Sequence, residues 1–167
     1  MLGAIAPGVV MSAKFRCNPP GRMQFPSWLG RTSNANKRQR LLKELSDAFG
    51  RQCTVVAVDA ARADDEGWSV MVRGGRERTA RKAIPWLQEA EALGAGEVLL
   101  TSWDKDGTRS GYDLPLLRAA TSRIRIPVIA SGGADSATHM AEALSVGASA
   151  VLAASIFHDG DATVDTI

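Results

Sequence analysis

The chain has few cysteines, only two histidines and no long apolar run. Cys17 and Cys53 are far apart and form no C-x-x-C pair, so the sequence shows neither a disulfide framework nor a zinc-ligand spacing. We therefore expect a reducing, cytoplasmic setting and no metal site. No apolar stretch approaches the roughly 18 to 20 residues that span a bilayer. The apolar residues 1–10 also lack a basic start and a cleavage site, so we expect no signal peptide and no membrane partner.

The chain also lacks an excess of charge of either sign. Twenty basic and eighteen acidic residues leave a net charge of +2, which is too balanced to indicate a nucleic-acid partner. The 167 residues, 45% of them hydrophobic and 23% charged, are typical of one globular domain. A small metabolite is therefore the expected ligand.

Regular structure is expected only after the first thirty or so residues. Residues 1–31 show neither alternation nor helical periodicity, and prolines interrupt them at positions 7, 19, 20 and 26. The sequence therefore predicts an irregular segment, residues 1–31, followed by a regular domain, residues 32–167.

Helical and strand patterns alternate along the regular domain. Short apolar runs predict four strands, at residues 53–59, 97–101, 127–130 and 150–153. Helices are predicted at about 37–49, from about 83 to 93, after Asp113 as N-cap, and after Asp135 as N-cap. Residues 68–73 predict a small hairpin arm with a turn at Gly74 and Gly75. The inward face of the last helix is predicted to carry Ala137, Met140, Ala141 and Leu144.

Strict β/α alternation predicts an α/β fold with a parallel sheet. Two architectures fit this pattern: an open doubly wound sheet, or part of a closed TIM (β/α)8 barrel. Four strands cannot close an eight-stranded barrel, which needs about 250 residues. In both architectures functional residues gather at the carboxyl ends of the strands.

Those carboxyl ends are polar in this sequence. Ser131, Gly132 and Gly133 precede a predicted helix, where close backbone approach and free N–H groups favour a phosphate. Ser155 follows the next strand and could add a hydroxyl group. The structural alternative is that the glycines form only a tight turn.

A carboxylate and a hydroxyl end the first two predicted strands. Asp59 closes an otherwise apolar run, and partial burial there would suit a general acid or base; a purely capping role is the alternative. Thr101 ends the next strand and is a predicted binding residue. The loop with Asp104 and Asp106 resembles a cation loop but lacks the remaining spaced ligands, so we do not expect calcium.

Five segments together resemble, in order and spacing, the second half of the cyclase subunit of imidazole glycerol phosphate synthase. They are residues 55–60 (VVAVDA), 94–102 (GAGEVLLTS), 104–113 (DKDGTRSGYD), 126–134 (IPVIASGGA) and 151–158 (VLAASIFH). The resemblance extends from about Ser33 to the end of the chain and implies a half-barrel of βα repeats, part of a TIM barrel.

The resemblance also implies a chemistry. Family members use ammonia from a glutaminase partner to cyclise and cleave a phosphorylated, nucleotide-like substrate, with no metal or redox cofactor. Asp59 would match one of two acid/base aspartates, and Glu97 would match a charged residue of the ammonia gate. The phosphate site in this half would map onto Gly107, Ser131, Gly133, Ala154 and Ser155.

The chain departs from the family pattern in its first half. Residues 1–31 carry no βα unit for the other aspartate and the other phosphate site, and Ala61 stands where the family often has lysine. We therefore expect impaired activity for the chain alone, and self-association or pairing with another half-barrel. The alternatives are a non-catalytic phosphate-binding half-barrel, a truncated family remnant or a fragment of a gene.

Overall fold

The computed structural model describes residues 35–64 and 67–167, so the predicted irregular segment 1–31 lies outside the described residues. The helices are α1 (Ala35–Phe49), α2 (Ala83–Ala92), α3 (Leu114–Thr121), α4 (Ala137–Ser145) and α5 (Ser155–His158). The strands are β1 (Val55–Arg62), β2 (Trp68–Val72), β3 (Glu77–Lys82), β4 (Glu97–Ser102), β5 (Val128–Ser131) and β6 (Ala150–Leu152). Single 3-10 turns lie at Arg51–Cys53 and Val164–Thr166.

The six strands form one sheet in the order β3-β2-β1-β4-β5-β6. The four predicted strands are β1, β4, β5 and β6, and each is parallel to the next. A doubly wound sheet reverses its strand order at a switch point, whereas here every parallel strand lies beside its successor. The fold is therefore part of a TIM barrel, as predicted.

The sheet has one covered face and one open face. Along β1 and β4 the residues alternate between buried and half-buried, and the buried set belongs to the core shared with α2, α3 and α4. The opposite face, which would line the inside of a closed barrel, is half-exposed. Its apolar residues are Val55, Ala57, Leu99 and Ile129.

The predicted hairpin arm widens the sheet beside β1. Strand β2 pairs antiparallel with β1 and with β3, and the turn between β2 and β3 contains Gly74 and Gly75 with φ of 63° and 79°. Strand β3 was missed by the sequence analysis. Its sequence ERTARK is mostly charged, and its residues are exposed or half-buried, as suits an edge strand. The strand carries little of the β-branched signal that predicts strands.

The helix boundaries confirm most predictions and correct one. Helix α1 ends before Gly50, whose φ is 85°, and α2 begins at Ala83 as predicted. Asp113 is the N-cap of α3, and its carboxylate accepts from the Leu116 N–H at 3.0 Å. The N-cap of α4 is Ser136 instead of Asp135.

The predicted inward face of α4 is also wrong at three of its four positions. Ala143 is buried and Met140 half-buried, whereas Ala137, Ala141 and Leu144 are exposed. Alanines at several positions give this helix apolar residues on more than one face, so periodicity alone does not determine which face packs on the sheet. No helix among the described residues is long and apolar enough to cross a membrane.

Candidate functional site at the carboxyl edge of the sheet

Three predicted site residues are neighbours across the parallel strands. Asp59 of β1 pairs with Thr101 of β4, and Thr101 pairs with Ser131 of β5. All three are half-buried and lie on the open face of the sheet. Because adjacent strands are about 4.8 Å apart, the row of three spans about 10 Å.

Asp59 lies in an electrostatic environment that favours its neutral form. Burial raises the pKa of its carboxyl group above the ordinary 3.8, and the nearby negative charge of Asp106 raises it further. A hydrogen bond from the Thr101 side chain opposes this effect, because it stabilises the carboxylate and so lowers the pKa. The net pKa is raised, so the carboxyl group holds its proton more tightly than an ordinary aspartate does, as a general acid requires.

The loop between β4 and α3 holds Gly107 close to these strand ends. The Ser102 carbonyl accepts from the Asp106 N–H at 2.9 Å, and Gly107 has a φ of 74°. The Asp104 carboxylate accepts from the Arg62 backbone N–H at 2.6 Å, which gives it a structural role. Within residues 35–64 and 67–167 no three His, Cys, Asp or Glu residues are grouped as metal ligands.

The glycines after β5 pack tightly against the end of β4 and the loop that follows it. Both have a φ of 93°, and a Cβ built on Gly132 would lie 2.8 Å from the Ser102 carbonyl oxygen. A Cβ on Gly133 would overlap with the carbonyl of Gly111, whose N–H donates to the Gly133 carbonyl at 2.8 Å. Glycine is therefore required here for packing, whether or not the turn also holds a phosphate.

The residues after β6 complete this edge. Ala154 is the N-cap of the four-residue helix α5, and the exposed Ser155 is its first residue. Since Ser131 pairs with Leu152, Ser155 lies just beyond the strand adjacent to the glycine turn. The Tyr112 hydroxyl donates to the Leu152 carbonyl at 3.0 Å, and burial raises the pKa of Tyr112 to about 12, so its phenol stays a neutral donor.

An ion-pair cluster around Arg109 joins the loops that carry the predicted phosphate residues. The guanidinium contacts Asp159 at 2.5 Å and Asp161 at 2.6 Å, and lies 3.8 Å from Asp135. Asp161 and Asp159 raise the already high pKa of Arg109 through hydrogen bonds and their charge. No spacing rule predicts this cluster from the sequence, because its members are up to 52 residues apart.

A buried carboxylate network lies behind the site. Asp113 is 7% exposed, and one of its oxygens accepts from the Trp68 indole N–H and from the Ser102 hydroxyl, each at 3.2 Å. Its other oxygen caps α3. Only the capping role was predicted. A groove of about 370 Å³ beside Asp113 is lined by none of the predicted site residues.

Glu97 lies apart from the other predicted residues. It begins β4 and pairs with Val55 at the start of β1, at the amino end of the sheet. The structure therefore places Glu97 at the opposite end of the strands from Asp59, Thr101 and Ser131, and its role in an ammonia gate stays a prediction.

The strand order, the helices on one face and the polar carboxyl edge define a TIM-barrel-type β/α protein. A family model described as "Histidine biosynthesis protein" matches residues 29–163. The chain belongs to this family of histidine biosynthesis proteins.

Curated relatives agree with this assignment. The chain is 54% identical over 140 residues to imidazole glycerol phosphate synthase subunit HisF of Synechococcus sp. (strain CC9605), covering 81% of this chain and 55% of that protein. It is 51% identical to the HisF subunit of Endomicrobium trichonymphae, covering 81% and 52%. For Microcystis aeruginosa HisF the identity is 53%, covering 79% and 54%. The chain thus spans about half the length of the curated relatives it matches.

Proposed function

We propose that this chain supplies half of a cyclase site for imidazole glycerol phosphate synthesis. In the proposed reaction, ammonia closes and cleaves a phosphoribulosyl-formimino aminoimidazole carboxamide ribonucleotide. The products are imidazole glycerol phosphate and aminoimidazole carboxamide ribonucleotide, so the activity is that of a lyase. The observation that carries the proposal is the half-buried Asp59, hydrogen-bonded by Thr101 and close to Asp106 at the carboxyl edge.

Asp59 is the proposed acid/base residue. Its raised pKa leaves it able both to donate and to accept a proton as the imidazole ring closes and the bond to the leaving nucleotide breaks. The Thr101 hydroxyl orients the carboxyl group, and the backbone pairing of β1 with β4 fixes their separation. In this proposal ammonia enters past Glu97 at the other end of β4.

The proposed phosphate site lies one strand further along the edge. Hydroxyl groups would come from Ser131 and Ser155, and close backbone approach from Gly107, Gly132, Gly133 and Ala154. The positive φ angles at the three glycines support this role, because they leave the backbone unobstructed by a side chain.

The proposed partners follow from the open face of the sheet. Its half-exposed apolar residues and the edge strand β6 favour association with another half-barrel, or with a second copy of this chain. A half-barrel partner would supply the second aspartate and the second phosphate site. A glutaminase subunit is the proposed ammonia source, and a cytoplasmic location is proposed because two cysteines are too few for a disulfide framework.

Turnover with an ammonium salt tests the proposal. The purified chain is assayed alone and mixed with a separately expressed N-terminal half-barrel of a relative, with Asp59→Asn as the control. We expect activity on mixing and a loss of at least about 100-fold in the variant. No detectable turnover in any combination, with both proteins folded, would rule out a working acid/base residue.

A non-catalytic phosphate-binding half-barrel is the second candidate. The exposure of Ser155 and the half-exposure of Ser131 favour it, because an open site desolvates a substrate poorly. Isothermal titration with the nucleotide substrate separates the two candidates: binding without turnover, in the presence of the half-barrel partner, favours the second.

A further inference from the structure

Trp103 differs from the other tryptophans that the structure describes. Trp68 and Trp86 are 9% and 3% exposed and belong to the core, whereas Trp103 is 41% exposed. A partly exposed indole beside a candidate site leaves an aromatic face available to a planar ligand.

The backbone of Trp103 is fixed at the end of the site. Trp103 follows β4 two residues after Thr101, and its N–H donates to the Ala60 carbonyl of β1 at 2.8 Å. The residue before that carbonyl is Asp59. The backbone of Trp103 therefore lies close to that of Asp59, the proposed acid/base residue.

The indole ring reaches across β1 to the hairpin. It contacts Gly75 in the turn between β2 and β3, on the far side of β1 from β4. The core face of β1 is packed under α2, so the ring crosses on the face that carries Asp59. Ala61, two residues further along that face, is only 1% exposed although its neighbours there are half-exposed.

Only glycine at position 75 leaves room for this ring. A Cβ built on Gly75 would overlap with the indole carbons Cη2, Cζ2 and Cε2. Gly74 has a similar left-handed φ, yet a Cβ built on it meets nothing within 4 Å. The indole therefore fits against position 75 only because Gly75 has no side chain. The hydrogen bond to the Ala60 carbonyl fixes the backbone of Trp103.

We propose that Trp103 is a substrate-binding residue, a rigid platform that stacks on the planar heteroaromatic ring of the ligand beside Asp59. A fixed, partly exposed indole offers its π-face to a flat ring with little loss of conformational entropy. The inference rests on the proposed function, which supplies a ligand with such a ring. It concerns recognition of the ring, separately from the phosphate.

Two ligands that differ in the ring test the platform. Aminoimidazole carboxamide ribonucleotide carries the ring and a phosphate, and ribose 5-phosphate carries the phosphate without the ring. Both are titrated calorimetrically into the full chain and into Trp103→Ala and Trp103→Phe. We expect Trp103→Ala to weaken nucleotide binding by between about 5-fold and about 100-fold, in the range of stacking on an aromatic side chain. Trp103→Phe retains most of the affinity, and ribose 5-phosphate binds all three proteins equally.

The two neighbouring glycines provide a matched pair. Gly75→Ala displaces the indole and weakens nucleotide binding as Trp103→Ala does, whereas Gly74→Ala introduces the same backbone strain without reaching the ring and leaves binding unchanged. Circular dichroism spectra confirm that each variant is folded, and Gly75→Ala replaces Trp103→Ala if the latter does not fold.

The outcomes separate the platform from the proposed function. Nucleotide binding that depends on the ring but is not followed by turnover would support the role of Trp103 and contradict the proposed cyclase activity. The platform is overturned if wild type binds nucleotide and ribose 5-phosphate equally or binds neither. It is also overturned if Trp103→Ala, or Gly75→Ala in its place, binds the nucleotide as tightly as wild type does or weakens the binding of both ligands alike.

Discussion

Asp59 is a residue whose environment suits acid/base chemistry but lowers the stability of the fold. Its pKa is raised because burial and the charge of Asp106 disfavour the carboxylate. The folded chain therefore binds this proton more tightly than the unfolded chain, and the stability contributed by Asp59 falls as the pH rises from the ordinary 3.8 through the raised value. Above this raised pKa the ionised carboxylate destabilises the fold.

Replacing this carboxylate should stabilise the protein. We expect Asp59→Asn to have a higher Tm than wild type at pH 7, with the difference shrinking as the pH is lowered towards 3, where both side chains are neutral. Thermal denaturation of the two proteins at matched pH values measures it. Asp106→Asn should lower the pKa of Asp59 and reduce the difference at pH 7. A difference that grows on acidification would contradict the assigned cause.

Asp113 supports the fold through three hydrogen bonds from a buried position. Asp113→Ala removes the cap of α3 and leaves the Trp68 and Ser102 donors without this acceptor. We expect a loss of about 2 to 4 kcal/mol in the free energy of unfolding, measured in urea. Ser136→Ala removes only the cap of α4 and should lose about 1 kcal/mol. Equal losses would show that the buried network adds nothing to capping.

The sequence predicts single residues only where their role is local. Asp113 was predicted as a cap because it directly precedes an apolar helix with proline in its first turn. Its bond to Trp68 crosses 45 residues, and the Arg109 pairs cross 26 to 52, so no spacing rule indicates them. Such contacts depend on which strands become neighbours.

At the scale of elements, the loop after β5 is joined to β4 and its following loop by close backbone contacts, of which the one at Gly133 is the tightest. Gly133→Ala places a Cβ against the Gly111 carbonyl and also adopts an unfavourable φ. Gly107 has a positive φ too, but a Cβ there meets nothing within 4 Å. We expect Gly107→Ala to lose about 1 to 2 kcal/mol from backbone strain alone. Gly133→Ala should lose at least about 3 kcal/mol, because steric overlap adds to strain. Urea denaturation compares them, and similar losses would mean that the loops separate easily.

Elements with strong periodicity were predicted well, and weakly patterned ones were not. The parallel strands are short apolar runs, and α1 has one apolar face followed by glycine. Each pattern is therefore compatible with only one type of secondary structure. Strand β3 is specified by its pairing with β2, because its own side chains are mostly charged. The inward face of α4 is likewise decided by contact with its neighbours, since its alanines fit either face.

For the whole molecule, the sheet has a covered face and a face with half-exposed apolar residues, and β6 pairs with no second strand among the described residues. An unpaired edge with apolar side chains is a site for association with another chain. Leu152 of this edge is 41% exposed, and Leu144 on α4 is 47% exposed on the helical side. The two leucines allow the edge and the helical surface to be compared.

We expect the chain to self-associate in a concentration-dependent way, measured by sedimentation equilibrium. Leu152→Lys places a charge on the edge and should weaken association at least about 10-fold, because burying one leucine contributes roughly 1.5 to 3 kcal/mol. Leu144→Lys adds the same charge away from the edge and should leave association unchanged. A monodisperse monomer at every concentration would exclude the edge as an interface between copies. Equal weakening by both substitutions would show that net charge, and not the β6 edge, controls the association.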